Sequence, residues 1–419
     1  MALPLFARQT GQTCAACHNG FPELTPYGRL FKLNGYTFGG GQSKLPPIAF
    51  MTVGSFTNTQ AAQPGGAAPH FGTNNNFAVD FVSMFYGGVL LPNVGLFGQI
   101  TYDNIGKAVA WDNTDLRYAT ALNLGGHETV LGVSINNNPT VEDVWNSTPA
   151  WGYPWVASGL APGPAAATLI EGGLAQQVVG ITPYVYWNRL IYGEVGVYRT
   201  LGSRLLYELG ANPGPPTPIN GVAPTWRFAI EPQWGPNSWE VGTFGLHAAE
   251  VPGGVTGFGT DHITDIGFDS QYQYIADKNS FSVDSYFIHE NAAYAASYAL
   301  GNTSNRHNYL NSFRVKASYY YDQTYGGTIS YFNIGGSGDA ALYGANSASN
   351  SPNSSGFIGE VDYMPFNHGG PAFWPWLNVK FGLQYTYYTR LNGGTTNYDG
   401  AGDNANGANT LYAFAWLAF

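Results

Sequence analysis

The sequence predicts an all-β chain: a transmembrane antiparallel β-barrel of about 16 strands, preceded by a short α-helical plug at the N-terminus. Three observations predict it. Segments that alternate apolar and polar residues at period two recur along most of the chain. The links between them are alternately short and long. Charge is nearly stripped out: charged residues make up 10% of the 419 positions, against about 25% in an average soluble domain.

The hydrophobic fraction is an ordinary 44%, aromatics reach 16%, and there are 56 glycines. Apolar content is therefore normal, while a Lys/Glu-rich soluble shell is missing. No run of uncharged apolar residues is long enough for a helical span; Phe81–Leu91 comes nearest, is too short and holds two glycines. A barrel carries its membrane signal in alternation, which leaves mean hydropathy near neutral, here -0.13. The net charge of -10 argues against nucleic acid as a partner. Carboxylates carry little charge in strong acid, where a Gly/Asn/Ser/Thr-rich exterior stays solvated, so the composition also suits an acid habitat.

The clearest strand is Leu377–Arg390. Leu377, Val379, Phe381, Leu383, Tyr385 and Tyr387 form one face, and Asn378, Lys380, Gly382, Gln384, Thr386 and Tyr388 the other. Trp226, Phe228 and Ile230 likewise oppose Arg227, Ala229 and Glu231. Phe313, Val315, Ala317 and Tyr319 oppose Arg314, Lys316 and Ser318; Ile266 and Phe268 oppose Asp265, Asp269 and Gln271. Short links fall near 91–94, 125–127, 187–190, 235–238, 276–279 and 322–326. Long ones fall at 59–74, 104–112, 137–175, 200–222, 250–261, 291–307, 336–354 and 391–407. Short periplasmic turns and longer outer loops are the layout of outer-membrane barrels. The chain closes on Leu411, Ala413, Ala415, Leu417 and Phe419, an alternation ending in an aromatic, similar to the recognition signal of bacterial outer-membrane barrels. Such a location requires an export leader, which Met1–Leu5 is too short to be.

The chain has two cysteines, Cys14 and Cys17, in the run Cys-Ala-Ala-Cys-His. This is the c-type haem attachment pattern. The thiols form thioethers with the two vinyl groups on one porphyrin edge, and His18 becomes the proximal iron ligand. A zinc site needs two further Cys or His ligands at suitable spacing, yet the next histidine is His70. A thioredoxin-like dithiol needs a strand–helix unit, and none precedes the motif. One covalently bound c-type haem is therefore expected. After the motif, Asn19–Phe38 reads as a short helix and turn, opened by Pro22 and ended by Gly35, with Leu24, Tyr27, Leu30, Phe31 and Asn34 near helical spacing. Residues 1–46 are too few to enclose a haem alone. The barrel, residues 47–419, is expected to complete the pocket around this haem-binding plug.

Residues 6–11 (Phe-Ala-Arg-Gln-Thr-Gly), the motif at 14–18, Phe21-Pro22-Glu23-Leu24, Gly28, Phe31-Lys32 and Gly35-Tyr36 together resemble the fused monohaem cytochrome–porins of iron-oxidising bacteria. The resemblance covers roughly the first 50 residues, and beyond them it rests on barrel architecture. It implies an outer-membrane electron conduit, with the haem segment on the periplasmic side or inside the barrel. Fe(II) outside the cell is the implied donor, and a periplasmic cytochrome or copper protein the implied acceptor. Hydrocarbon about 30 Å thick blocks electrons without a relay, and a haem inside a barrel shortens that gap.

The distal haem ligand is open between a methionine, a histidine and an unfilled position. An axial Met raises the reduction potential relative to His, as Fe(II) oxidation demands. Met51, at the start of the first strand, and Met84, placed on the lumen face by the parity of Asp80, are the candidates, with Met364 behind them. Each otherwise simply fills apolar space. Arg8, Arg29 and Lys32 are candidates for neutralising the haem propionates; otherwise they are solvated. Parity places Asp80, Glu194, Glu231, Glu240, Asp265, Asp269, Asp284, Glu360 and Asp362 on the lumen face. Oxygen ligands suit Fe(II), but pairing with Arg117, Arg227, Arg314, Lys316 and Lys380 is the plainer role. The remaining histidines show no metal spacing. Two other functions compete with electron transfer: a porin-like diffusion channel with the haem segment as plug or sensor, and a haem enzyme with an open iron position, such as a peroxidase.

Overall fold

In a computed structural model describing residues 3–41, 45–209 and 217–419, the alternating segments become strands that pair in chain order. They are β1 (Ile48–Thr59), β2 (Asn76–Leu91), β3 (Val94–Asp103), β4 (Ala108–Leu124), β5 (His127–Asn136), β6 (Val178–Trp187), β7 (Ile191–Thr200) and β8 (Ala223–Ile230). There follow β9 (Asn237–Glu250), β10 (Asp261–Ile275), β11 (Asn279–Ala293), β12 (His307–Tyr321), β13 (Tyr325–Gly336), β14 (Ser354–Tyr363), β15 (Asn378–Arg390) and β16 (Thr410–Ala418). The short piece Gln233–Trp234 extends β8 along the same neighbour, β9. Every pairing is antiparallel, and β16 returns to β1, with Met51 opposite Ala418 and Thr59 opposite Thr410. The result is a closed barrel of 16 strands.

Alternation sorts the side chains largely as the sequence predicts, although Val379, expected on the outer face, is buried. On β15, Phe381, Leu383, Tyr385 and Tyr387 are exposed, while Lys380 and Gln384 are buried. Phe228 and Ile230 face out and Arg227 in; Ile266 and Phe268 face out, Asp265 and Asp269 in. An exterior this rich in large apolar groups is too extensive for a water-facing surface and suits lipid. Aromatic residues cluster outside at one end: Tyr325 stacks on Tyr363 at 5.2 Å, Tyr363 on Phe381 at 6.4 Å, and Trp374 meets Phe419 at 5.2 Å. Such belts lie at the membrane–water interface. No helix among the described residues is long and apolar enough to cross a membrane.

Two links depart from the pattern. The 104–112 link is a tight turn at 104–107, because Asp103 Oδ1 accepts from the N–H groups of Ile105 and Gly106 and lets β3 and β4 run on. Conversely, the 364–377 link is long although it lies at the short-turn end. A third difference concerns Met84. Val53 pairs with Phe81 and Gly54 with Val79, so Asp80 is an extra residue in β2. This bulge shifts the alternation by one. Asp80, Ser83 and Phe85 all face inward, and Met84, 39% exposed, stands outside between Val82 and Tyr86. Met84 is therefore corrected from a lumen residue to a lipid-facing one.

The lumen is occupied. At the short-turn end sit three helices: α1 (Pro4–Thr10), α2 (Cys14–Cys17) and α3 (Pro26–Leu33). Beyond them the 137–177 link, which reads as an outer loop, folds inward. Val141, Val144 and Trp145 are buried. Glu171 accepts from Tyr286 Oη and Ser312 Oγ, both at 2.8 Å. Asp265 accepts from the Ile170 N–H at 2.7 Å, and Glu290 from the Leu169 N–H at 2.6 Å. The lumen's polar wall satisfies the backbone of this segment, which a dry core would leave unpaired.

Candidate functional site

Cys14 and Cys17 lie one turn apart on α2, whose last turn closes through the His18 N–H on the Cys14 carbonyl at 3.0 Å. His18 then leaves the helix in an extended conformation and bridges antiparallel to Leu24. Its Nδ1 donates to the Pro22 carbonyl at 2.8 Å. A carbonyl only accepts, so Nδ1 carries a proton, the arrangement that makes Nε2 the nitrogen for an iron.

The helix after the motif is shifted from its expected start. Pro22 lies in the turn that orients His18, and Pro26 opens α3, with Thr25 as its cap accepting from the Gly28 N–H at 3.2 Å. Thr25 also ties α3 to α2: its N–H donates to the Cys17 carbonyl at 2.9 Å and its Oγ1 to the Ala16 carbonyl at 2.7 Å. A Cβ on Gly28 would stand 2.2 Å from the Cys17 oxygen. Glycine is thus what lets the two helices meet.

Cys14, Cys17 and His18 border one cavity, with Leu3, Phe6, Phe31, Tyr36, Phe97 and Trp151 among its walls. Its lining of aromatic and aliphatic groups with few polar ones is typical of cofactor sites. Burial pushes the Cys14 thiol up to about 11 and Cys17 up to about 12. This is the opposite of a reactive redox dithiol, whose thiolate must form near neutrality. Two thiols one turn apart, an oriented imidazole and aromatic walls fit the haem that the motif implies.

Several expected partners lie elsewhere. Arg29, expected at a propionate, is buried against the barrel wall, paired with Glu231 and bonded to Gln273 and, at 3.4 Å, to Ser238. Helical spacing places it on the face of α3 turned to the wall. Arg8 donates to the carbonyls of Pro46 and Ile48 and fastens α1 to the start of β1. Neither borders the cavity; in this structure both anchor the plug. Met51 and Met364 are fully buried in the apolar cluster against which Cys14 packs, yet they too are absent from the cavity wall. Met84 is outside the barrel altogether.

The cation that does line the cavity is Lys32. Its Nζ donates to the carbonyls of Val141 at 2.6 Å and Asp143 at 2.7 Å, and lies 4.8 Å from the Trp151 ring centroid. Asn146 accepts from the Leu24 N–H at 2.9 Å. The inward segment thus completes the pocket, a contribution that no local motif announces.

The expected lumen carboxylates all face inward, and most pair with cations. Arg227 meets Asp269 at 2.8 Å, Asp143 at 3.2 Å and Glu240 at 3.4 Å. Lys380 meets Glu360 at 2.8 Å and Asp362 at 3.1 Å, and Arg117 meets Asp115 at 2.7 Å. Among the described residues no group of three or more His, Cys, Asp and Glu is placed to hold a metal ion.

No protein-family model and no curated protein matches the chain. Solved structures do. The outer membrane channel DcaP of Acinetobacter baumannii is 12% identical, with a TM-score of 0.49, covering 91% of this chain and 99% of that one. The anion-selective porin from Comamonas acidovorans is 10% identical, with a TM-score of 0.48, covering 88% and 98%. Outer-membrane expressed OmpT of Vibrio cholerae is 9% identical, with a TM-score of 0.46, covering 89% and 96%.

Proposed function

We propose that this chain is an outer-membrane electron conduit: a porin-like barrel whose N-terminal plug carries one c-type haem and accepts electrons, with extracellular Fe(II) as donor and a periplasmic cytochrome or copper protein as acceptor. The observation that carries this reading is the convergence of Cys14, Cys17 and His18 on one aromatic-walled cavity, with the His18 ring oriented by the Pro22 carbonyl. The donor identity rests on the resemblance of the first 50 or so residues to cytochrome–porins of iron oxidisers.

When bound, the haem supplies a one-electron Fe(III)/Fe(II) couple. Cys14 and Cys17 would hold it through thioethers and His18 through Nε2. The Nδ1 bond to Pro22 fixes the imidazole plane and increases its basicity. Phe6, Phe31, Tyr36, Phe97 and Trp151, which line the cavity, would exclude water from the macrocycle. The anchors Glu23, Arg29 and Lys380, bonded across the plug–wall boundary, hold the site against the barrel wall. Rapid mixing of purified protein with Fe(II) at acid pH tests the reading. Growth of the reduced c-type bands is the expected result; reduction by dithionite but not by Fe(II) removes iron as donor.

A second reading is a diffusion channel with the haem segment as plug or sensor. The 16-strand wall and charged lumen favour it, since barrels of this size leave an aqueous channel when nothing fills them. Planar-bilayer conductance of the intact chain separates the two readings: steady open-pore currents support the channel.

A further inference from the structure

Lys32 differs from the other lysines buried in this lumen. Lys316 pairs with Glu23 and Asp284, and Lys380 with Glu360 and Asp362. Among the described residues Lys32 Nζ has no carboxylate oxygen within 4.0 Å. Its bonds go to two carbonyls, and an indole ring centroid lies 4.8 Å from it. Carbonyls orient an ammonium but bring no compensating charge, and a buried, unpaired cation is costly. Nearby carboxylates favour its charge but are committed to other cations. Asp115 is taken by Arg117 and Tyr36, Asp143 by Arg227, and Glu142 lies beside Arg117, whose guanidinium also faces Lys32. Lys32 lines the cavity that it shares with Cys14, Cys17 and His18.

We propose that Lys32 is the counter-ion of a carboxylate on the cavity's occupant, a haem propionate, and that its charge holds the haem's reduction potential high. The inference rests on the haem reading above. It also gives the inward segment a task, because Val141, Asp143 and Trp151 fix the ammonium. Burial, with the nearby Arg117 charge, holds the Lys32 amine down to about 7 against the pull of Asp115, Asp143 and Glu142; a propionate beside it favours the charged form and returns the value upward.

The test is spectroelectrochemistry on the full chain in detergent, as wild type, Lys32→Met and Lys32→Arg. A pyridine haemochrome assay on the wild type comes first, and absence of the c-type product there defeats the haem reading itself. With haem attached, Lys32→Met is expected to raise the oxidised-to-reduced ratio at fixed ambient potential about tenfold, the effect of one charge lost at roughly 10 Å in an effective dielectric of about 20. That equals a fall of about 59 mV for one electron. Lys32→Arg is expected to restore the wild-type value. An unchanged potential in Lys32→Met overturns the proposal. If Lys32→Met does not fold, the wild type decides. A potential flat between about pH 5 and 8 fits a paired, permanently charged Lys32, and a potential that falls through pH 7 marks an unpaired amine losing its proton and overturns the proposal.

Discussion

Glu23, in the turn between α2 and α3, is ion-paired with Lys316 of β12, 293 residues away in the chain. Glu23 also accepts from Asn19 at 3.2 Å, Gln273 at 2.7 Å and Ser282 at 3.1 Å, so one carboxylate joins the plug to three strands. Lys316 pairs in addition with Asp284 at 2.8 Å. Lys316→Met therefore strands two buried carboxylates, and breaking a buried pair costs about 3–5 kcal/mol. Glu23→Gln leaves Lys316 with Asp284 and keeps most hydrogen bonds, so its cost is smaller. The expected outcome is protease cleavage of the N-terminal segment in Lys316→Met, much less in Glu23→Gln, with the barrel intact in both by heat-shifted gel migration.

The same carboxylate predicts a pH dependence. Burial alone would raise its pKa, but the Lys316 charge and three side-chain hydrogen bonds bring it below the ordinary 4.5. A folded value below the unfolded one means stabilisation that is full above pH 4.5 and lost as pH falls through the depressed value. The plug is thus expected to stay docked in mild acid and to loosen only well below pH 4.5. Protease accessibility followed against pH checks this, and Glu23→Gln should flatten the profile.

Gly28→Ala tests the contact between the motif helix and α3. The added Cβ meets the Cys17 carbonyl at 2.2 Å, and neither backbone has a flexible side chain to move aside. Overpacking of this kind costs about 1–3 kcal/mol, and here it displaces the thiols from the cavity wall. The expected outcome is at least a severalfold loss of covalently attached haem per barrel, measured as haemochrome yield. Unchanged yield would show that α2 and α3 need not touch.

The barrel was legible because period-two alternation and link lengths act locally: Lys380, Gln384, Phe381 and Leu383 declare their faces without any tertiary information. The motif was legible for the same reason. What failed was whatever depends on register or on distant chain. The bulge at Asp80 shifts parity by one and sends Met84 outside, and nothing in the run Val79–Phe81 marks an extra residue. Arg29 and Lys32 sit on the same short helix, and only the wall and the inward segment decide that Arg29 anchors while Lys32 faces the cavity. Trp151 and Asn146 come from a link whose composition resembles any outer loop.

Methionine positions yield a prediction that separates the sequence expectation from the geometry. Met84 faces outward, and Met51 and Met364 do not border the cavity. Single replacement of each by leucine is expected to leave the visible spectrum and potential of the haem unchanged, since volume-conserving swaps usually cost less than about 1.5 kcal/mol. A changed spectrum in Met51→Leu or Met364→Leu would restore that residue as the distal ligand.

The inward segment makes the sharpest test between conduit and channel. It is held to opposite walls: Glu171 by Tyr286 and Ser312, Trp145 by Gln271, Leu160 by Gln63, and Pro162 by Tyr388. These contacts are polar and distributed, so removing one leaves the others, whereas removing the stretch empties the lumen beyond the plug. Replacing residues 148–168 by a short Gly-Ser link spares Asn146, which holds Leu24, and Glu171, which holds the wall. It removes Trp151 from the cavity. If the segment and plug together seal the barrel, this variant is expected to keep its haem but bind it in a wetter site, with lower potential, while single-channel conductance stays low because the plug remains. Adding Lys316→Met, which loosens the plug, should then open stable currents. Large currents from the intact chain would mean instead that a path bypasses both seals, and the channel reading would take precedence.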